Sequence, residues 1–137
     1  MLVLDASVAI KWFKEEPGSD IAERVALSGD LVAPDLLLVE VGNAGWRAVR
    51  MGLMRREQTF AIPTALRRYI GEFRPIEPLV PRALAIAHML DHPLYDCVYL
   101  ALAESLARPV ITADRRLLAR VANTAWGASV HPLASFA

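Results

Sequence analysis

The chain has 137 residues, 55% of them hydrophobic, which suits one buried core and predicts a single domain over residues 1–137. Fifteen Lys and Arg balance fifteen Asp and Glu, so net charge gives no argument for a polyanionic partner. The single cysteine, Cys97, excludes an internal disulfide or a cysteine-rich zinc site, and no stretch reaches the roughly 18 apolar residues of a membrane span, so a soluble, cytoplasmic protein without a secretory leader is expected.

Leu2, Val3 and Leu4, followed by Asp5, read as a short buried strand, with a helix over residues 6–13 and a breaker at Glu15-Glu16-Pro17-Gly18. A second helix over 19–28 and a strand over 31–34 follow. Asp35 can then cap a long helix to about residue 51. Gly52 ends that helix, and residues 55–73 read as another, which Pro63 is expected to kink. Residues 76–79 are a strand candidate, 81–90 a helix, Asp91-His92-Pro93 a turn and 95–107 a strongly apolar helix. A strand over 109–112, a helix over 114–121 and a last strand over 128–131 complete the chain. Short apolar strands alternating with helices predict an α/β domain whose central, mostly parallel sheet is flanked by helices.

Four acids stand in telling places. Asp5 ends the first strand and Asp114 follows the strand over 109–112; in an open parallel sheet both should enter one crevice at the strands' carboxyl ends. Glu40 sits between Val39 and Val41 in an apolar helix, and Asp96 opens an apolar run with Tyr99 and Leu100 on its side. Each acid also has a structural reading. Asp5, Asp96 and Asp114 can cap helices, which is worth about 0.5–2 kcal/mol, and Glu40 can face solvent or pair with Arg47.

Capping leaves unexplained why the acids recur beside apolar segments with no lysine or histidine near them in sequence. Two carboxylates about 4 Å apart repel by roughly 4 kcal/mol at an effective dielectric of about 20, so an acid cluster requires a cation or a retained proton. Ligation by oxygen alone suits Mg²⁺ or Mn²⁺. His88, His92 and His131 lack a zinc-binding spacing and are expected to be structural or exposed.

Charge is unevenly spread. Residues 1–45 carry three basic side chains against eight acidic ones, whereas residues 46–75 carry seven arginines against Glu57 and Glu72. This pattern fits either a phosphate-binding rim around an acidic pocket or ordinary solvated helix faces.

Leu4-Asp5-Ala6-Ser7, Val39-Glu40-Val41-Gly42-Asn43, the run from Tyr95-Asp96 to Glu104, and Val110-Ile111-Thr112-Ala113-Asp114-Arg115 together resemble the four acidic motifs of PIN-domain VapC toxins. The similarity spans nearly the whole chain. It implies a PIN-like fold in which Asp5, Glu40, Asp96 and Asp114 converge on Mg²⁺ or Mn²⁺ as metal ligands and catalytic residues. Ser7, Asn43 and Thr112 would orient carboxylates or waters, although Ser7 and Thr112 also suit capping. Some PIN proteins carry a further acid where Arg115 and Arg116 stand, which leaves a second metal open; these arginines are candidates for contact with substrate phosphate.

The resemblance further implies a metal-dependent endoribonuclease that leaves a 5′-phosphate and a 3′-hydroxyl on a structured RNA such as tRNA or rRNA. It implies a homodimer and a cognate VapB-like antitoxin whose tail presents a basic side chain to the acids. Other readings are an RNA-processing PIN nuclease without antitoxin and a catalytically silent PIN-like binding module. A phosphotransfer receiver would need paired early acids and a lysine after a late strand, and the chain has neither.

Overall fold

In the computed structural model, which describes residues 1–137, five strands form one sheet. They are β1 (Leu2–Leu4), β2 (Leu31–Pro34), β3 (Glu72–Arg74), β4 (Val110–Thr112) and β5 (Val130–Pro132), in the order β3-β2-β1-β4-β5. Every pairing is parallel, with Val3 opposite Val32 on one side and Val110 on the other. Both faces of a parallel sheet are covered, which is why the inner strands are continuous apolar runs: β2 and β4 are buried at every position.

The covering helices are α1 (Ala6–Ala9), α2 (Ser19–Ser28), α3 (Leu36–Arg50), α4 (Arg56–Thr59), α5 (Ile62–Tyr69), α6 (Val80–Leu90), α7 (Leu94–Leu106) and α8 (Arg115–Val121). Residues 97–103 of α7 are all buried, as expected of a helix that is apolar on every side. It packs against β1, β2 and β4 on one side and α6 on the other, at the centre of a core of 31 buried residues. No helix is long and apolar enough to cross a membrane.

Several local expectations are corrected. The helix expected over 55–73 is α4, α5 and the strand β3. Pro63 lies in the first turn of α5, where its missing N–H has no helical partner to lose, so it starts a helix instead of kinking one. The strand expected over 76–79 is a 3₁₀ turn, Glu77–Leu79, containing Pro78, which has no N–H to give a ladder. The first helix tightens to 3₁₀ geometry over Ile10–Trp12, and the last strand lies at Val130–Pro132, after a 3₁₀ turn over Gly127–Ser129.

The strand order positions the functional edge. From β1 the chain moves outward to β2 and β3, then returns to the other side of β1 for β4 and β5, so the order reverses between β1 and β4. The crevice beyond their carboxyl ends is where ligands bind in such sheets. Asp5 follows β1 and Asp114 follows β4, and the Asp5 N–H still bonds the Ile111 carbonyl at 3.1 Å.

Leu102, on α7, is 2% exposed, whereas Leu27, on α2, is 83% exposed. Leu102→Ala should cost about 2–5 kcal/mol and Leu27→Ala within about 0.5 kcal/mol, read from urea midpoints at unchanged slope.

Candidate active site

Asp5 is buried and caps α1. Its Oδ2 accepts hydrogen bonds from the Ser7 N–H at 3.2 Å, from the Ser7 hydroxyl and from the Thr112 hydroxyl at 3.0 Å. The Ser7 oxygen accepts in turn from the Ala113 N–H at 2.9 Å, and the Thr112 oxygen from the Asp114 N–H at 3.0 Å. Two small hydroxyls thereby tie the end of β1 to the end of β4. Asp114 caps α8, its Oδ1 accepting from the Arg116 and Leu117 N–H groups at 2.8 and 3.3 Å.

The other two acids are held by side chains. Glu40 Oε1 accepts from the Tyr99 hydroxyl at 2.6 Å, across 59 residues of sequence. Tyr99 is wholly buried, so its phenol has no water to compete for that bond. Asp96 lies in the first turn of α7 but does not cap it, because Pro93 occupies the N-cap. Its Oδ2 instead accepts from His92 Nε2 at 2.6 Å.

Each of the four carboxylates thus has one oxygen fixed by protein donors and a second oxygen, Asp5 Oδ1, Glu40 Oε2, Asp96 Oδ1 and Asp114 Oδ2, with no protein hydrogen bond. None of these second oxygens is sealed from solvent. All four side chains line one cavity of about 250 Å³, together with Ser7, Asn43 and Arg47. Capping and convergence are therefore compatible roles, performed by different oxygens of the same side chain.

Burial pushes the Asp5 carboxyl up to about 6, against the pull of its Ser7 hydrogen bond and with a contribution from the Asp96 charge. Burial likewise pushes Glu40 up to about 7, opposed by the Tyr99 hydrogen bond and reinforced by Asp5 and Asp96. Asp96 is raised by burial, against its His92 bond, and by the Asp114 charge. Tyr99 is held well above its ordinary range, first by burial and then by these acids, so it remains a donor. Such a basin favours a cation or retained protons. No three acidic, histidine or cysteine groups close on one point as a protein-only cage. An open, all-oxygen basin fits Mg²⁺ or Mn²⁺, since Mg²⁺ keeps several waters and takes only one or two carboxylates directly.

The structure brings Asp5, Glu40, Asp96 and Asp114 together as expected, with Asn43 on the cavity wall and Ser7 and Thr112 beneath Asp5. It separates the two arginines. Arg116 lines an adjoining cavity of about 490 Å³ with His92, Asp96, Asp114 and Arg120, while Arg115 turns to another, beside Lys11 and Leu133. Nor does the arginine-rich segment form a rim as a whole. Arg50, Arg56 and Arg67 stack on Trp46, Phe60 and Phe73, Arg74 pairs with Glu72, and from that segment Arg47 alone lines the acidic cavity, without pairing to Glu40.

His92 and Tyr99 are the partners that sequence reading missed. His92 stands four residues before Asp96, so the expectation that no histidine lies near the acids is wrong. The spacing was visible, but the turn at Asp91-His92-Pro93 obscured it, since α7 begins only at Leu94.

Without a divalent cation, the folded protein retains protons that the unfolded chain has lost, on Asp5 between about 3.8 and 6 and on Glu40 between about 4.5 and 7. Stability contributed by these groups is therefore greatest below pH 4, falls as pH rises to about 7 and is level above. In EDTA, Asp5→Asn should lose the Asp5 part of this fall and exceed the wild type at neutral pH by on the order of 1–3 kcal/mol in urea unfolding. An Asp5→Asn protein whose stability advantage over the wild type did not grow between pH 4 and 7 would contradict this electrostatic account.

The PIN domain family model matches residues 2–123. Ribonuclease VapC3 of Pyrobaculum aerophilum is 31% identical over 119 residues, covering 85% of this chain and 91% of that protein. Ribonuclease VapC1 of Mycobacterium tuberculosis is 35% identical over 120 residues, covering 85% and 88%. A Pyrobaculum aerophilum protein of known crystal structure superposes with a TM-score of 0.72 at 22% identity, over 98% of this chain and 84% of that one. A chain of a toxin–antitoxin complex from Klebsiella pneumoniae superposes at 0.66 and 15% identity, over 97% and 98%. With its family model, its VapC relatives and its all-parallel sheet in agreement, the chain belongs to the PIN domain family and is VapC-like within it.

Proposed function

We propose that this protein is a metal-dependent endoribonuclease of the VapC toxin type, formed by one domain and acting on cytoplasmic RNA. The observation that carries this reading is the set of four carboxylates, each with one oxygen free of protein hydrogen bonds, that line one cavity at the sheet's switch point. Asp5, Glu40, Asp96 and Asp114 would hold Mg²⁺ or Mn²⁺. Bound there, the ion would lower the pKa of a water and offset charge on the scissile phosphate and the departing 3′-oxygen.

The chain's own residues do the rest. Ser7 and Thr112 fix Asp5, and the backbone of α8 fixes Asp114, so the basin is shaped before substrate arrives. The Tyr99 hydroxyl holds Glu40 Oε1, leaving Oε2 without a protein hydrogen bond and free to serve the ion or a water bound to it. Arg47 on the wall of the acidic cavity and Arg116 in the adjoining one would meet phosphates flanking the cut. The VapC relatives are named ribonucleases, which supports an RNA substrate, and one structural neighbour comes from a toxin–antitoxin complex, which supports a VapB-like antitoxin; a tRNA or rRNA as that RNA, and a homodimer, complete the proposal.

Purified protein freed of any antitoxin should cut end-labelled tRNA or rRNA fragments with Mg²⁺ or Mn²⁺, and Asp96→Asn should fall to the level of the EDTA control. Cuts that survive both EDTA and the substitution would overturn the reading. In RNA binding by the Asp96→Asn protein, adding Arg116→Ala should lower the slope of log affinity against log salt by about 0.7, the value of one single-strand phosphate contact, while Arg115→Ala should leave it unchanged.

A further inference from the structure

We infer that His92 is a positioning residue for the acidic basin: it orients Asp96 so that Oδ1 faces the cavity, and thereby strengthens divalent-cation binding. This rests on the metal-dependent reading above.

The four carboxylates are not held equally. Asp5 has a backbone donor and two hydroxyls, and Asp114 has two backbone N–H groups that the helix supplies whatever the side chains. Asp96 has no backbone donor, because it lies past the N-cap of α7, and His92 is its one hydrogen-bonding partner. Without His92, nothing in the structure fixes which oxygen of Asp96 meets the cavity.

The imidazole is itself delivered by a built turn. Asp91 takes a left-handed conformation at φ 51° to end α6, the His92 N–H bonds the Ala87 carbonyl at 3.1 Å, and Pro93 stands at the N-cap of α7. The His92 side chain is only 8% exposed, so the ring that makes the 2.6 Å bond to Asp96 is held by its surroundings. Carboxylates that ligate metals are themselves steadied by hydrogen bonds, and removing such a supporting partner typically weakens metal binding 10–100-fold.

The test is Mn²⁺ affinity by calorimetry on the full chain, compared among wild type, His92→Ala, His92→Asn and His92→Gln. Asn keeps a polar side chain in the turn but is too short to reach Oδ2, whereas Gln can place an amide N–H near the position of Nε2. The expected result is a Kd raised about 10–100-fold in His92→Ala and His92→Asn, with part of the loss recovered in His92→Gln. A merely structural role would lower the melting temperature in EDTA and leave the Kd of the folded variants unchanged, and that result would overturn the proposal. If His92→Ala does not fold, His92→Asn against His92→Gln decides it. A wild type that binds no Mn²⁺ would overturn the metal-dependent reading itself, a failure distinct from wild-type binding that the variants match.

Discussion

Like charges held in a half-buried cavity must be restrained, and the acidic basin is organised by that constraint. Four carboxylates meet at one edge of the sheet, where burial and mutual repulsion raise three of them above their ordinary range. Each is restrained through one oxygen and leaves the other without a protein hydrogen bond. The fold supplies these restraints from unrelated places: hydroxyls at the ends of β1 and β4, the backbone of α8, a phenol inside α7 and an imidazole from the turn before it. The stability forfeited by gathering unpaired acids is offset by the apolar core beneath them, in which α7 is buried against the three inner strands.

The helix α7 joins core to site. Its buried positions secure it to the sheet, while Asp96 and Tyr99, three residues apart, point the same way and reach the cavity and Glu40. A helix so constrained gives its polar groups little freedom, which suits a site that must keep its geometry with or without substrate. Basic side chains stand close by in neighbouring cavities: Lys14 and Arg47 in one, Arg116 and Arg120 beside Asp96 and Asp114 in the other.

Much of this was legible in the sequence, for physical reasons. Inner strands of a parallel sheet are short apolar runs, so β1, β2 and β4 could be read, and acids that end such strands or interrupt an apolar helix are conspicuous. The edge strand β3 was not legible. Glu72-Phe73-Arg74 has a charged residue on each side of one half-buried aromatic, as suits an exposed edge, and leaves no apolar run to recognise. The partners of the acids were harder still. The Tyr99 bond to Glu40 depends on how α3 and α7 pack, and the role of His92 depends on a turn whose geometry its residues alone do not fix. Arg115 and Arg116 are adjacent in sequence, yet successive positions on a helix point about 100° apart, so one faces the acids and the other a different cavity.

The central claim, that the four carboxylates form one cation-binding basin through their unanchored oxygens, is tested most directly by anomalous X-ray diffraction from crystals grown with Mn²⁺. The account predicts a manganese peak inside the cavity bordered by Asp5, Glu40, Asp96 and Asp114, with the hydrogen bonds from Ser7, Thr112, Tyr99 and His92 retained. A manganese bound elsewhere with this cavity empty, or one whose binding breaks those hydrogen bonds, would contradict it.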